Sequence, residues 1–255
     1  MGFISAAKTD KGNYKTSNQD SLVLNVAQTT KAGMVLMAIV CDGMGGLAKG
    51  ELASATVVRA FNDWFMQTLP QLIESDKVNA ETVRNEWVKI IGTVSNKIAG
   101  YGKMNNLSLG TTLVGALCVG SNMYIVNVGD SRLYKVSRKL ERLTTDHSLV
   151  AREIAAGRLR PEDEEKDPRR NVLLQCIGAS KEIRPEFKVM PYTRGDTFVL
   201  CSDGFRHEIK EEEVVNYLAS VTNDSQLEQQ LAKMIEIDMS RNEADNITAV
   251  SFKVV

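Results

Sequence analysis

Apolar residues run along this chain in short unbroken stretches that stop at aspartate and glycine. Residues 34–46 read MVLMAIVCDGMGG, an apolar run ending in Asp42-Gly43 and then Gly45-Gly46. A run without alternation suits a strand buried on both faces or a buried helix segment, and the glycines stop it too soon for a helix. A carboxylate at such a strand end is rigidly placed, and glycine beside it lets a ligand or metal come close to the backbone. The other reading is a plain Asp-Gly turn. The arrangement recurs, however. Residues 197–202 lead into Asp203-Gly204, residues 123–128 lead into Gly129-Asp130-Ser131, and Asp245-Asn246 stands just before the strand-like 247–255. Four carboxylates delivered in this way suit a hard cation.

The remaining elements follow from the same patterning. Residues 2–8 and 21–27 read as strands, joined by the polar, turn-rich loop 9–20. In that loop Lys15 could be a fixed cation for an anionic substrate and Asp20 a further carboxylate, or both could be solvated loop residues. Residues 48–69 have helical spacing, with Leu52, Ala55, Val58, Phe61, Trp64 and Phe65 on the apolar stripe and Pro70 after its end. Residues 79–99 form a second amphipathic helix carrying Val83, Trp87, Ile91, Val94 and Ile98. Residues 108–119, 123–128 and 132–136 read as an antiparallel meander with short turns. Ser148 or Asp146 could cap a helix over 149–156, which Gly157 stops. Residues 158–170, RLRPEDEEKDPRR, lack any apolar period and predict a mobile charged flap near the site, within an excursion at about 151–171. Residues 171–177 and 186–190 read as short strands. Residues 211–219 and 225–239 read as helices. The whole, 1–255, reads as one domain of the α+β class, with helices covering antiparallel sheets.

Composition narrows the function classes. The chain has 255 residues, 43% hydrophobic and 25% charged, with net charge -1. That is an ordinary globular composition with no footprint for nucleic acid or a membrane. Cys41, Cys118, Cys176 and Cys201 are scattered without any C-x-x-C, and there are two histidines. A disulfide framework and a thiolate or imidazole metal site are therefore disfavoured. The absence of a signal-like start and of a spanning apolar stretch predicts a reduced, cytoplasmic setting.

Taken in order, the motifs resemble one family. They are residues 9–12 (TDKG), 17–20 (SNQD), 40–46 (VCDGMGG), 109–112 (LGTT), 127–132 (NVGDSR), 143–148 (LTTDHS), 201–204 (CSDG) and 245–248 (DNIT). The sequence is similar to the metal-dependent protein serine/threonine phosphatases, type 2C, in their compact bacterial form. The resemblance implies a four-layer αββα sandwich of two mainly antiparallel sheets flanked by helix pairs, with metals at one end. It implies that Asp42 bridges two Mg²⁺ or Mn²⁺ ions and that the Gly43 carbonyl binds the second. Asp203 and Asp245 would bind the first, and Asp130 with Asp203 a third, weaker ion. Asp20 would orient bound waters. The reaction implied is in-line attack of a metal-bridging water on phosphoserine or phosphothreonine in proteins, without a phosphoenzyme.

Two positions depart from the family. Lys15 stands where an arginine usually grips the substrate phosphate, and lysine keeps the charge but loses the bidentate fork. Met44 stands where eukaryotic relatives have a histidine proposed as a general acid, and Met44 has no proton to give. His147 is the candidate for outer support of the site, or else a loop histidine bonded to backbone. The expected partners are phosphorylated proteins, including a serine/threonine kinase, and the expected state is a monomer. The competing readings are a non-catalytic metal-binding signalling module on the same fold and a small-molecule phosphohydrolase, which an enclosed pocket would favour.

Overall fold

The structure, a computed structural model, describes residues 1–45 and 49–255. Two five-stranded antiparallel sheets face one another. The first has the order β1 (Phe3–Asp10), β12 (Ile247–Val254), β11 (Thr197–Cys201), β8 (Arg132–Val136), β9 (Leu140–Arg142). The second has the order β10 (Glu186–Pro191), β7 (Asn122–Val128), β6 (Leu113–Val119), β3 (Gly33–Cys41), β2 (Ser21–Thr29). A short ribbon pairs β4 (Gly43–Gly45) with β5 (Leu109–Thr111).

The unbroken apolar strands are explained by burial on both faces. Along β3, Leu36, Ala38 and Val40 point at the other sheet, where they meet Leu200, Val250 and Phe252. Met37, Ile39 and Cys41 alternate with them and face the helices. Those helices are α1 (Gly50–Gln67), α2 (Leu69–Glu74) and α3 (Ala80–Asn105), anchored by Phe61, Trp64 and Trp87. Trp87 meets Phe61 and Trp64 edge-on at 5.5 and 5.8 Å, so both tryptophans are core residues. On the far side, α5 (Glu211–Ala219) and α6 (Asp224–Ser240) cover the first sheet through Val214, Leu218, Leu227 and Leu231. Three apolar cores thus separate four layers, the αββα sandwich expected. All four cysteines are buried and unpaired.

Several local expectations are corrected. The meander 108–136 is not one: β6 and β7 pair, but β8 belongs to the other sheet. Gly129 takes φ +106°, and the chain crosses between sheets at Gly129-Asp130-Ser131 instead of turning back. Residues 108–119 break at Thr112, because 109–111 leave the sheet to pair with β4. The run 34–46 ends as a sheet strand at Cys41; Gly46 and Ala48 lie outside the described residues. The stripe of α1 is rotated, with Val57 buried and Leu52 37% exposed. Pro70 not only follows α1 but sits in the first turn of α2, where its missing N–H is harmless. Residues 171–177 make only two isolated bridges, Ser148 to Leu173 and Thr111 to Ile177. Ser148, not Asp146, caps α4 (Leu149–Ala155), accepting from the Ala151 N–H. Residues 161–166 of the charged excursion form a 3-10 helix. No helix among the described residues is long and apolar enough to cross a membrane.

Candidate active site

Strand register brings the predicted acids to one end of the sandwich. Ser21 pairs with Cys41, so Asp20 and Asp42 are neighbours just outside the ladder. Cys201 pairs with both Ala249 and Arg132, which places Asp203, Asp245 and Asp130 at that same end. Asp42 is then fixed through its own backbone. The Asp42 N–H donates to Thr112 Oγ1 at 2.9 Å, and its carbonyl accepts from the Thr112 N–H at 2.9 Å and from Thr111 Oγ1 at 2.8 Å. The Gly43 N–H donates to the Gln19 carbonyl at 3.1 Å. A Cβ at Gly43 would run into the carbonyls of Gln19 and Gly50, so only glycine lets these segments meet.

The electrostatics are those of crowded carboxylates. Asp20, Asp130 and Asp203 are 6–8% exposed. Burial, and then Asp20, Asp203 and Asp130, push the Asp42 carboxyl well above its ordinary range. Burial also pushes Asp20 and Asp130 up to about 7, with the Asp203 charge contributing to both. Burial acts on Asp203 in the same direction, but His207, Arg206 and a hydrogen bond with Asp42 outweigh it and hold that carboxyl low. Asp20 Oδ2 accepts from Ser202 Oγ at 2.9 Å, while Asp20 Oδ1 and Asp203 Oδ1 are buried without a partner. Lys15 Nζ lies 2.8 Å from Asp245 Oδ1. Burial alone would lower its ammonium pKa; the charges of Asp245, Asp42 and Asp203 raise it instead.

The acids form a rim and not a finished coordination shell. Among the described residues, no three histidine, cysteine or carboxylate side chains already converge on one point. The donor set still fits a divalent cation: oxygen ligands only, mutually repelling carboxylates, and buried oxygens lacking partners.

A family model described as protein phosphatase 2C matches residues 12–236. The chain belongs to that family. It is 34% identical over 216 residues to the serine/threonine phosphatase stp of Listeria monocytogenes, covering 84% of this chain and 82% of that protein. Its fold superposes on the serine/threonine phosphatase of S. agalactiae with a TM-score of 0.85 and 30% identity, over 100% of both chains. The catalytic domain of the phosphatase PstP, in complex with two manganese ions, superposes with a TM-score of 0.78 at 25% identity, over 99% of this chain and 98% of that one.

Within this member of the family, some residues at the rim have no strand-end signature. Arg206 Nη2 stands 4.0 Å from Asp130 Oδ2, and its Nη1 donates to Glu165 Oε1 at 2.6 Å. His207 Nε2 is 3.8 Å from Asp203 and its Nδ1 is 3.3 Å from Glu243. Their adjacency to Asp203-Gly204 was the only available signal. Asn246 is equally central. Its Nδ2 donates to the carbonyls of Lys11 and Ser17, and its Oδ1 accepts from the Gln19 N–H, tying down the loop that carries Lys15 and Asp20. His147 Nδ1 accepts from the Gly129 N–H at 3.1 Å, and the His147 backbone N–H donates to the Gly129 carbonyl at 2.8 Å. It braces the segment holding Asp130 from outside, and burial lowers its pKa, consistent with a neutral acceptor. The charged excursion is pinned: Glu164 accepts from Arg132 at 2.6 Å, and Arg132 also grips Asp146 bidentately.

Proposed function

We propose that this chain hydrolyses phosphoserine and phosphothreonine in proteins, with Mg²⁺ or Mn²⁺ held by its aspartate rim. The observation that carries this reading is the gathering of five aspartates from different strand ends, with Asp20, Asp130 and Asp203 buried and Lys15 against Asp245. Asp42, the Gly43 carbonyl, Asp203 and Asp245 would hold the two core ions, and Asp130 with Asp203 a third, weaker one. Bound there, the ions supply Lewis-acid activation of water and neutralise phosphoryl oxygens.

The chain's own groups do the rest. Asp20 is oriented by Ser202 and keeps Oδ1 free to accept a proton or hydrogen bond from attacking water. Lys15 can exchange its contact with Asp245 for a substrate phosphate. Met44 has no proton to donate and His147 Nδ1 is committed to Gly129, so neither serves as the acid for the leaving alkoxide. The side chains of Lys15 and Asp245 are 45% and 33% exposed. A rim this open supports a protein-sized substrate over a metabolite that would be enclosed. The complete acid set argues against a non-catalytic signalling module. A serine/threonine kinase acting on the same proteins is the implied counterpart.

The test is hydrolysis of a phosphothreonine peptide and of p-nitrophenyl phosphate, with Mn²⁺ and with chelator. Wild type should turn over only with metal, and Asp203→Ala should lose at least about a thousandfold, as expected when a residue central to charge stabilisation is removed. Inactivity of the metal-loaded wild type on both substrates would refute the reading, and full activity in Asp203→Ala would refute the site. Asp130→Ala should keep two ions in a metal titration yet turn over more slowly.

A further inference from the structure

Counter-charge is shared unevenly among the aspartates of the rim. Lys15 lies against Asp245. Burial and its four fellow aspartates are what act most on Asp42, and all of them push its pKa up. Asp130 and Asp203 differ. They are the two acids that would hold the third, weaker ion, and both have basic groups of residues 206 and 207 beside them. Arg206 Nη2 is 4.0 Å from Asp130 Oδ2, and His207 Nε2 is 3.8 Å from Asp203 Oδ2. The Arg206 charge acts on both carboxyls and opposes the upward push of burial on each.

This guanidinium is built into the site. The Arg206 backbone N–H donates to the Asp203 carbonyl at 2.9 Å, so the residue leaves the chain one tight turn after the acid it accompanies. Its side chain is only 11% exposed. Nη1 donates to Glu165 at 2.6 Å, which holds the fork in place and leaves Nη2 toward Asp130. Arg132, the next guanidinium along, is already committed. Its Nε and Nη2 serve Asp146, Nη2 also serves Glu164, and Nη1 donates to Tyr134. Among the described residues, Arg206 is therefore the cation at ion-pair distance from Asp130. An arginine keeps its charge throughout the working pH range, and neither dilution nor a chelator removes it. A divalent ion bound by Asp130 and Asp203 would be repelled by this fixed charge, and screening is weak in so buried a place.

We propose that Arg206 is a resident cation for the third-ion position: it neutralises Asp130 and Asp203 and keeps that position empty at Mn²⁺ concentrations that fill the other two. This assignment rests on the metal-dependent phosphatase reading, and it makes the working site two ions and a guanidinium. Arg206 acts on the ions through the two acids, so it is a positioning residue.

Titration of the full chain with Mn²⁺ in the absence of substrate, with free Mn²⁺ read by electron paramagnetic resonance, tests this directly. Wild type should take up two ions, with a third at least about tenfold weaker than either. Arg206→Gln should tighten the third ion at least about tenfold, the least expected when a unit charge a few ångströms from a divalent ion is removed. Arg206→Met keeps the buried stem and should do the same, should the glutamine variant fail to fold. Arg206→Lys keeps the charge and should stay near wild type. Adding Asp130→Ala to Arg206→Gln should abolish the gained ion. Lost packing would loosen an ion site, so tightening reports the charge itself. A third ion no tighter in the charge-removing variants, or tightened as much in Arg206→Lys, would overturn the proposal. So would a wild-type third ion as tight as the other two, or a gained ion that survives Asp130→Ala. Wild type that binds no Mn²⁺ would sink the metal reading and this assignment with it, whereas two bound ions with an unmoved third would sink this assignment alone.

Discussion

The Lys15 ammonium stands 2.8 Å from Asp245 and feels Asp42 and Asp203 as well, so it is the positive charge a phosphate would meet on reaching the acid rim. As a point charge it attracts without fixing orientation, whereas arginine grips two oxygens in a fork. Lys15→Arg should lower KM for p-nitrophenyl phosphate about three- to tenfold, with kcat within about twofold, since the gain is in ground-state binding. Unchanged KM in steady-state assays would place Lys15 away from the phosphate. The acids could be picked out in the sequence because each stands at a break between an apolar run and a turn, whereas Lys15 lies mid-loop and was picked out as a cation there and through the family resemblance. Arg206 and His207 were not. Asp203 is four residues from His207, but their other contacts, Glu165, Glu243 and Asp130, come from separate loops, and no spacing along the chain announces those meetings.

At the scale of elements, the loop 11–20 is held at three backbone points by one side chain outside it. Asn246 satisfies the Lys11 and Ser17 carbonyls and the Gln19 N–H, and it is 3% exposed. Asn246→Ala should cost about 2–4 kcal/mol, from three lost hydrogen bonds of about 1 kcal/mol each plus the groups left unpaired. The same variant should speed amide hydrogen exchange across 11–20 and raise KM, because Lys15 and Asp20 ride on that loop. Normal exchange there would mean the loop is held by its own turns. Strands and helices were largely readable from the apolar period, but pairing was not. The segment 123–136 looks like a hairpin because Gly129-Asp130-Ser131 is a good turn sequence. In fact β7 and β8 face each other across the central core, Ile125 and Leu133 both lying within it. Two strands buried on both faces give the same apolar pattern whether they pair or stack, so patterning could not separate the alternatives.

At the scale of the whole molecule, three apolar cores hold together a rim of acids that would otherwise separate. Fully buried side chains such as Phe61, Leu117 and Phe252 each contribute about 1.5–3 kcal/mol, enough in aggregate to keep like charges close. The strain should be visible as a pH dependence of stability once cations are removed. Burial and the neighbouring Asp203 charge push Asp20 and Asp130 up to about 7 in the folded chain, and Asp42 lies well above its ordinary range. In the unfolded chain these carboxyls titrate near about 4. Folded-state values above unfolded ones mean stability that is full below about pH 4 and lost as pH rises through about 7, because the unfolded chain releases its protons first. Glu213, held at about 2 by Arg241, has the opposite sign, but it is ionised in both states above about pH 5 and cannot offset the trend. Asp238, buried and pushed up to about 8, adds to it. In chelator, Tm should therefore fall steadily from pH 5 to pH 8. With excess Mn²⁺ the trend should flatten or reverse, because the cation binds the deprotonated acids and its affinity grows as they ionise. Calorimetry in both buffers reads the two slopes. A level or rising Tm in chelator would show that the aspartates do not repel one another as their burial requires, and would remove the electrostatic case for a cation site at this end of the sandwich.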